Sequence, residues 1–149
     1  MDVEIPRTLD DALAFLALRD DAEPIAGGTD LMVEMNFGRH RPKAVVAIDR
    51  IEELRQILVS KGGVRLSGGV TYSRMLKEDI RSPAMQQAAR TVGSPQIRNA
   101  GTIGGNLGTC SPAGDTLPVL AALDAKVVLR SASTHRRVPF TEYMTGPKK

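Results

Sequence analysis

The sequence predicts an α+β fold in two lobes, a small parallel βαβ lobe followed by a larger lobe whose sheet is mainly antiparallel. Three observations carry this reading. Residues 1–52 alternate helical and strand patterns, as crossover-connected parallel strands require. Beyond that point strands come in adjacent pairs separated by short turns, the pattern of hairpins. At 149 residues the chain is long enough for one ordinary domain or two small lobes, and it can bury a core without disulfides. The expected division is therefore 1–52 and 53–149.

In the first lobe, Thr8 followed by Asp11 has the spacing of a capping box. Leu9, Ala12, Leu13, Leu16 and Ala17 recur at helical intervals, so residues 9–20 are expected to form an amphipathic helix. EPIAGG (23–28) reads as a short strand ending in a glycine turn, TDLMVEM (29–35) as a helix opening after it, and AVVAID (44–49) as a buried strand. In the second lobe, QILVS (56–60), a KGG turn and VRLSGG (64–69) predict a hairpin. TYSRMLKED (71–79) and SPAMQQAARTV (82–92) read as helices. The second has Ser82 as cap and Pro83 at its first position, where the missing N–H is not needed. After a glycine-rich stretch, DTLPVLAALDA (115–125) reads as a helix and KVVLRS (126–131) with RRVPF (136–140) as a terminal hairpin.

Composition excludes several classes of function. The longest apolar runs, such as Val119 to Leu123, fall far short of a membrane span. The N-terminus MDVEIPRTLDDA is acidic and polar where a secretory signal needs a positive start and an apolar stretch, so the expected setting is cytoplasmic. The single cysteine, Cys110, agrees with a reducing compartment and cannot build a thiolate metal cage within this chain. A net charge of +3 invites a nucleic-acid reading, but aromatic residues are only 3%, too few to stack bases, and no nucleic-acid motif is present. The basic runs GRHRPK (38–43) and THRRV (134–138) read as solvated loops or as surfaces for docking a partner protein.

Chemistry concentrates in two glycine-rich places. One is Gly27, Gly28, Thr29 and Asp30 in the first lobe; the other is Gly101, Thr102, Ile103, Gly104, Gly105 and Asn106 in the second. Glycine lets the chain enter left-handed conformations and lets a ligand approach the peptide itself. Converging N–H groups, or the start of a helix, suit a phosphate. Two such loops facing each other from different lobes could hold a pyrophosphate between them, with Thr29, Thr102 and Asn106 adding side-chain hydrogen bonds. The alternative is that the glycines only make tight turns, the reading preferred for Gly62–Gly63 and for Gly68–Gly69.

Other signatures are absent. No G-x-G-x-x-G follows the first strand, and there is no P-loop, H-E-x-x-H or nucleophile elbow. His40 and His135 stand alone in basic loops, and Cys110 reads as a small filler near the glycines. A chain that can bind a cofactor yet offers little chemistry of its own suggests that the cofactor is the reactive part.

Two segments, IAGGTDL (25–31) and VGSPQIRNAGTIGGNLGTCSPAGDTLPVLAALDAKVVL (92–129), give the sequence a family. It resembles the FAD-binding subunit of molybdenum hydroxylases, the family of xanthine dehydrogenase, carbon monoxide dehydrogenase and related aldehyde and N-heterocycle dehydrogenases. The resemblance implies a two-lobed FAD-binding domain of the PCMH/VAO-like kind, with FAD between the lobes. It implies Ala26, Gly27, Gly28, Thr29, Asp30 and Leu31 as a first pyrophosphate loop and Thr102, Ile103, Gly104, Gly105 and Asn106 as a second. It further implies Asp115 on the adenosine ribose, where spacing alone equally suggests helix capping, and Lys149 near the flavin. Ile97 and Arg98 are expected to shape the flavin edge.

The implied function is that of a flavoprotein subunit of an oxidoreductase, inactive alone. A partner large subunit would carry the molybdenum cofactor and a small subunit two [2Fe-2S] clusters, from which electrons reach FAD and then an external acceptor. The family's flavin subunits continue beyond the point where this sequence stops, so it is expected to be one portion of a longer protein or one of two complementary chains. Two other readings remain open from the residues: a nucleotide-binding regulatory or assembly module holding a non-redox ligand, and a truncated fragment that binds nothing.

Overall fold

A computed structural model describes residues 1–146. Three short strands, β1 (Asp2–Glu4), β2 (Ala22–Ile25) and β3 (Ala44–Ala47), form one parallel sheet in the order β1-β3-β2. Parallel neighbours need crossover connections. These are supplied by α1 (Leu9–Leu18) between β1 and β2 and by α2 (Leu31–Asn36) between β2 and β3. Thr8 caps α1, its Oγ1 accepting from the Asp11 N–H at 3.1 Å. Ala12 carries the buried side of α1 onto Val46 and Ile51, with Leu9, Phe15 and Leu16 packed around them.

The sequence pattern does not predict β1. Its three residues, Asp-Val-Glu, include one apolar side chain that stays exposed, and its pairing comes from β3, where Val3 lies opposite Val45. The strand exists because the central strand, whose Ala44, Val45 and Val46 are buried, offers it an edge.

The two expected hairpins both form: β4 (Ile57–Ser60) with β5 (Gly63–Leu66), and β6 (Lys126–Arg130) with β7 (His135–Pro139). Among the described residues they are separate two-stranded sheets and do not join into one. Between them run α3 (Tyr72–Lys77), α4 (Pro83–Thr91), α5 (Pro95–Ala100), α6 (Ile103–Thr109) and α7 (Leu117–Ala122), and a single turn, α8 (Phe140–Tyr143), follows β7. Val70, Tyr72, Met75, Ile80, Met85, Ala89 and Ile103 form the core that unites α3, α4 and the start of α6. A third cluster of Leu117, Val127 and Phe140 seats α7 and α8 on the β6–β7 hairpin. No helix among the described residues is long and apolar enough to cross a membrane.

The departure that matters for function is α6. Its sequence, IGGNLGT, holds three glycines, each about 1 kcal/mol worse than alanine in a helix. It forms because both ends are tied down. Thr102 caps its start, Ile103 is buried in the core, and Cys110, buried and left-handed at φ 47°, closes its end by donating its N–H to the Asn106 carbonyl. Cys110 is a small buried filler, as the sequence suggests.

Candidate functional site

The two glycine motifs meet. A cleft of about 860 Å³ is lined on one side by Ala26 through Leu31 and on the other by Thr102, Gly104, Gly105, Asn106, Gly108 and Thr109. That is within the range of small-molecule sites, roughly 300–1,000 Å³. A hydrogen bond closes one edge, Thr109 Oγ1 donating to Asp30 Oδ2 at 3.3 Å.

The first motif is the turn that carries the chain from β2 into α2. Gly28 sits at φ +69°, a left-handed conformation that few L-residues adopt without strain. Its carbonyl accepts from Met32 N–H at 3.1 Å and so starts the helix. The N–H groups of Gly27, Gly28 and Thr29 donate to no protein acceptor among the described residues. All three residues line the cleft, and unengaged peptide N–H groups are donors that suit an anion.

The second motif differs from the expectation. Its N–H groups are already engaged: Ile103 donates to Val70 O at 3.0 Å, Gly104 to Gly68 O at 2.8 Å, Gly105 to Thr102 Oγ1 at 3.0 Å and Asn106 to Thr102 O at 3.0 Å. The glycines there serve close packing and a bare helix face. A β-carbon on Gly104 would lie 2.5 Å from Gly68 O, whereas one on Gly108 would meet nothing within 4 Å and would project from a cleft-lining position. The second motif therefore offers a flat surface and side-chain donors, where the first offers peptide nitrogens.

The remaining predicted residues fall in different places. Ile103 is 4% exposed in the core and positions α6 without lining the cleft. Asp115 is exposed and does not line the cleft, although Ala113 and Gly114 just before it do. It does not cap α7 either, since Thr116 holds the cap position. Ile97 lines the cleft. Arg98 turns instead to the end of α4, donating to Val92 O at 3.0 Å and Gly93 O at 2.7 Å, the usual engagement of a cation with the last carbonyls of a helix. Lys149 lies outside the described residues.

Sequence reasoning missed several wall residues. Gly68 and Gly69 make the expected tight turn, closed by Val70 N–H donating to Ser67 O at 3.0 Å, and they also pack: Gly68 lines the cleft and its carbonyl anchors α6, and a β-carbon on Gly69 would lie 2.7 Å from Leu54 O. His40 is not solitary, because its Nε2 lies 2.6 Å from Glu23 Oε1 and both residues line the cleft. Only their side-by-side strand and loop positions bring them together, so no sequence spacing could signal the pair. Tyr72, 3% exposed, forms part of the floor. Burial pushes its phenol up to about 12 and keeps it neutral at any physiological pH. Its hydroxyl has no partner at hydrogen-bonding geometry. The nearby Thr116 hydroxyl offsets part of that rise, while its proton goes to Asn106 Oδ1 at 2.6 Å.

Among the described residues no Lys or Arg lines the cleft; its polar groups are peptide N–H groups, the Asn106 amide, threonine and serine hydroxyls, the phenol of Tyr72, His40 and carboxylates. Of the lining carboxylates, Glu23 is bonded to His40 and Asp30 accepts from Thr109. Among the described residues no group of His, Cys, Asp and Glu could hold a metal ion. Fold and cleft together define a cofactor-holding module built from a small parallel sheet and a glycine-faced helix.

Comparison with known proteins makes this specific. Residues 1–149 match the family described as the FAD binding domain in molybdopterin dehydrogenase, and the chain belongs to that family. It is 39% identical to the nicotinate dehydrogenase FAD-subunit of Eubacterium barkeri, over 95% of this chain and 49% of that protein. It is 34% identical to the xanthine dehydrogenase FAD-binding subunit of Escherichia coli O157:H7, over 95% of this chain and 50% of that protein. Among solved structures, carbon monoxide dehydrogenase from Hydrogenophaga pseudoflava superposes with a TM-score of 0.93 at 28% identity, covering 100% of this chain and 53% of that one. Reconstituted CO dehydrogenase from Oligotropha carboxidovorans gives 0.95 at 28% identity, covering 100% and 54%. The chain thus spans about half the length of the curated relatives it matches.

Proposed function

We propose that this chain holds FAD in the cleft between its two glycine motifs, as the flavin-carrying part of a molybdenum-containing hydroxylase or dehydrogenase. The observation that carries the reading is the convergence of both motifs on one cleft of about 860 Å³, with unengaged peptide N–H groups at Gly27, Gly28 and Thr29. Those donors suit a diphosphate. The bare face of α6 at Gly105 and Gly108 leaves room for a flat group to lie against the helix.

In this reading the two lobes are residues 1–52 and 53–149, and their junction is the cleft. Ala26 to Leu31 hold the diphosphate from one side; Thr102, Gly104, Gly105 and Asn106 flank it from the other, with Ile103 as the buried anchor of their helix. Asp115, next to cleft-lining Gly114, is assigned to the ribose hydroxyls, for which a carboxylate is an apt acceptor. Neutral Tyr72 and the apolar Ile25, Ile48 and Leu54 keep the inner wall dry.

The chemistry that a bound flavin supplies is electron relay, from [2Fe-2S] clusters on a small subunit to an external acceptor, with substrate hydroxylation at the molybdenum centre of a large subunit. In this reading the chain's own groups bind and orient the flavin.

Titration of the purified chain with FAD, followed by quenching of flavin fluorescence, tests the proposal. Saturable one-to-one binding is expected, with replacement of Gly105 by valine reducing it at least tenfold. A protein that binds ADP but no FAD would favour a non-redox nucleotide module, and one that binds neither would overturn the assignment.

A further inference from the structure

We propose that Thr116 is a positioning residue that holds Asn106 as a hydrogen-bond donor to the dinucleotide; the inference rests on the FAD reading and assigns it a part outside the glycine motifs. Thr116 is fully buried at 0% exposure. It occupies the N-cap position of α7, where a threonine hydroxyl ordinarily accepts from a backbone N–H of the first turn. Here its backbone is already helical, at φ −84° and ψ −18°, and it makes no such cap bond. The hydroxyl donates to Asn106 Oδ1 at 2.6 Å, across to the neighbouring helix.

That bond determines what Asn106 presents. With Oδ1 accepting from Thr116, the amide nitrogen is directed away from Thr116. No protein acceptor for Nδ2 occurs among the described residues, and Asn106 lines the cleft half-exposed. A carboxamide so fixed offers two N–H donors and no competing acceptor. Gly114 completes the seat, since a β-carbon there would lie 2.9 Å from Asn106 Nδ2 and 3.0 Å from the Leu117 side chain.

The second motif needs this donor. The N–H groups of Ile103, Gly104, Gly105 and Asn106 are all engaged within the protein. A ligand oxygen facing these four residues would therefore be met by side chains. Asn106 is one of those present, and Thr116 sets the direction in which its amide points.

The test measures FAD affinity by fluorescence titration for wild type, Thr116→Val, Thr116→Ser, Asn106→Ala, the double variant Thr116→Val/Asn106→Ala and Asn106→Asp, with chemical unfolding of each ligand-free protein alongside. Thr116→Val, nearly isosteric, is expected to weaken FAD binding about tenfold, the size of one well-placed hydrogen bond. Thr116→Ser keeps the hydroxyl and should stay within about twofold of wild type. In the Asn106→Ala background, Thr116→Val should cause no further loss, a non-additivity that a purely structural threonine would not produce. Asn106→Asp preserves the acceptor for Thr116 but removes the donor, so it should bind more weakly than Asn106→Ala; this arm stands even if Thr116→Val fails to fold. Wild-type affinity in Thr116→Val, an equal loss in both backgrounds, or wild-type affinity in Asn106→Asp would overturn the proposal while leaving the flavin site in place. If the wild type itself takes up no flavin, the flavin reading and this proposal fall together.

Discussion

The carbonyl oxygen of Ala100 stands 1.7 Å from the position a β-carbon on Gly27 would occupy. Residues 73 positions apart thus touch backbone to backbone at the foot of the cleft, and the first glycine motif is locked against the segment that leads into the second. The same logic applies one layer away, where Gly104 meets Gly68. Gly27 is therefore a joint between the two glycine segments, and Gly104 a joint between α6 and the turn at Gly68, roles separate from any ligand contact.

Gly27→Ala should consequently disrupt the fold before it affects chemistry. No flexible side chain can yield at this contact, so a loss of about 3 kcal/mol or more is expected, at or beyond the upper end of overpacking costs. Urea unfolding measures it. A variant as stable as wild type would show that the two segments are not held in this contact.

Gly108→Ala should do the opposite. The position lies inside α6, and a β-carbon meets nothing within 4 Å, so alanine should stabilise the ligand-free protein by about 0.5–1 kcal/mol. Because Gly108 lines the cleft, the same methyl should reduce FAD affinity. Paired unfolding and binding curves would separate the effects; gain of stability with unchanged binding would remove this helix face from the ligand site.

Tyr72 gives a pH dependence of defined sign. Its folded value is raised to about 12 from an ordinary 10, so the folded state retains the proton over an interval in which the unfolded state has lost it. The resulting stability is complete below about pH 10 and is lost as pH rises towards 12, a change of at most about 2.7 kcal/mol. Tyr72→Phe should abolish that part of the alkaline slope in unfolding experiments. An unchanged slope would show that the phenol is not sequestered.

Much of this molecule is legible in its sequence because local signals agree with the tertiary outcome. Thr8, Ser82 and Pro83 mark helix starts by ordinary capping, and the hairpin around Lys61 and Gly62 follows from a turn between two apolar runs. α5 carries the same Ser-Pro signature at Ser94 and Pro95 and could have been read in the same way. What sequence conceals is what depends on neighbours. β1 has no pattern of its own and borrows its order from β3. α6 is a helix despite three glycines, because contacts at Val70 and Gly68 hold its first turn. The same contacts consume the N–H groups that its composition seemed to leave free. Residues of both motifs are recoverable from spacing; which of them keep open donors is decided by packing.

The most direct test of the central claim, that both motifs serve one dinucleotide, is a crystal structure of the chain with FAD. The expected result places diphosphate oxygens within about 3.2 Å of the Gly28 or Thr29 N–H while the same molecule lies against the α6 face at Gly105 and Gly108. A flavin dinucleotide bound outside this cleft, or touching one motif and not the other, would contradict it.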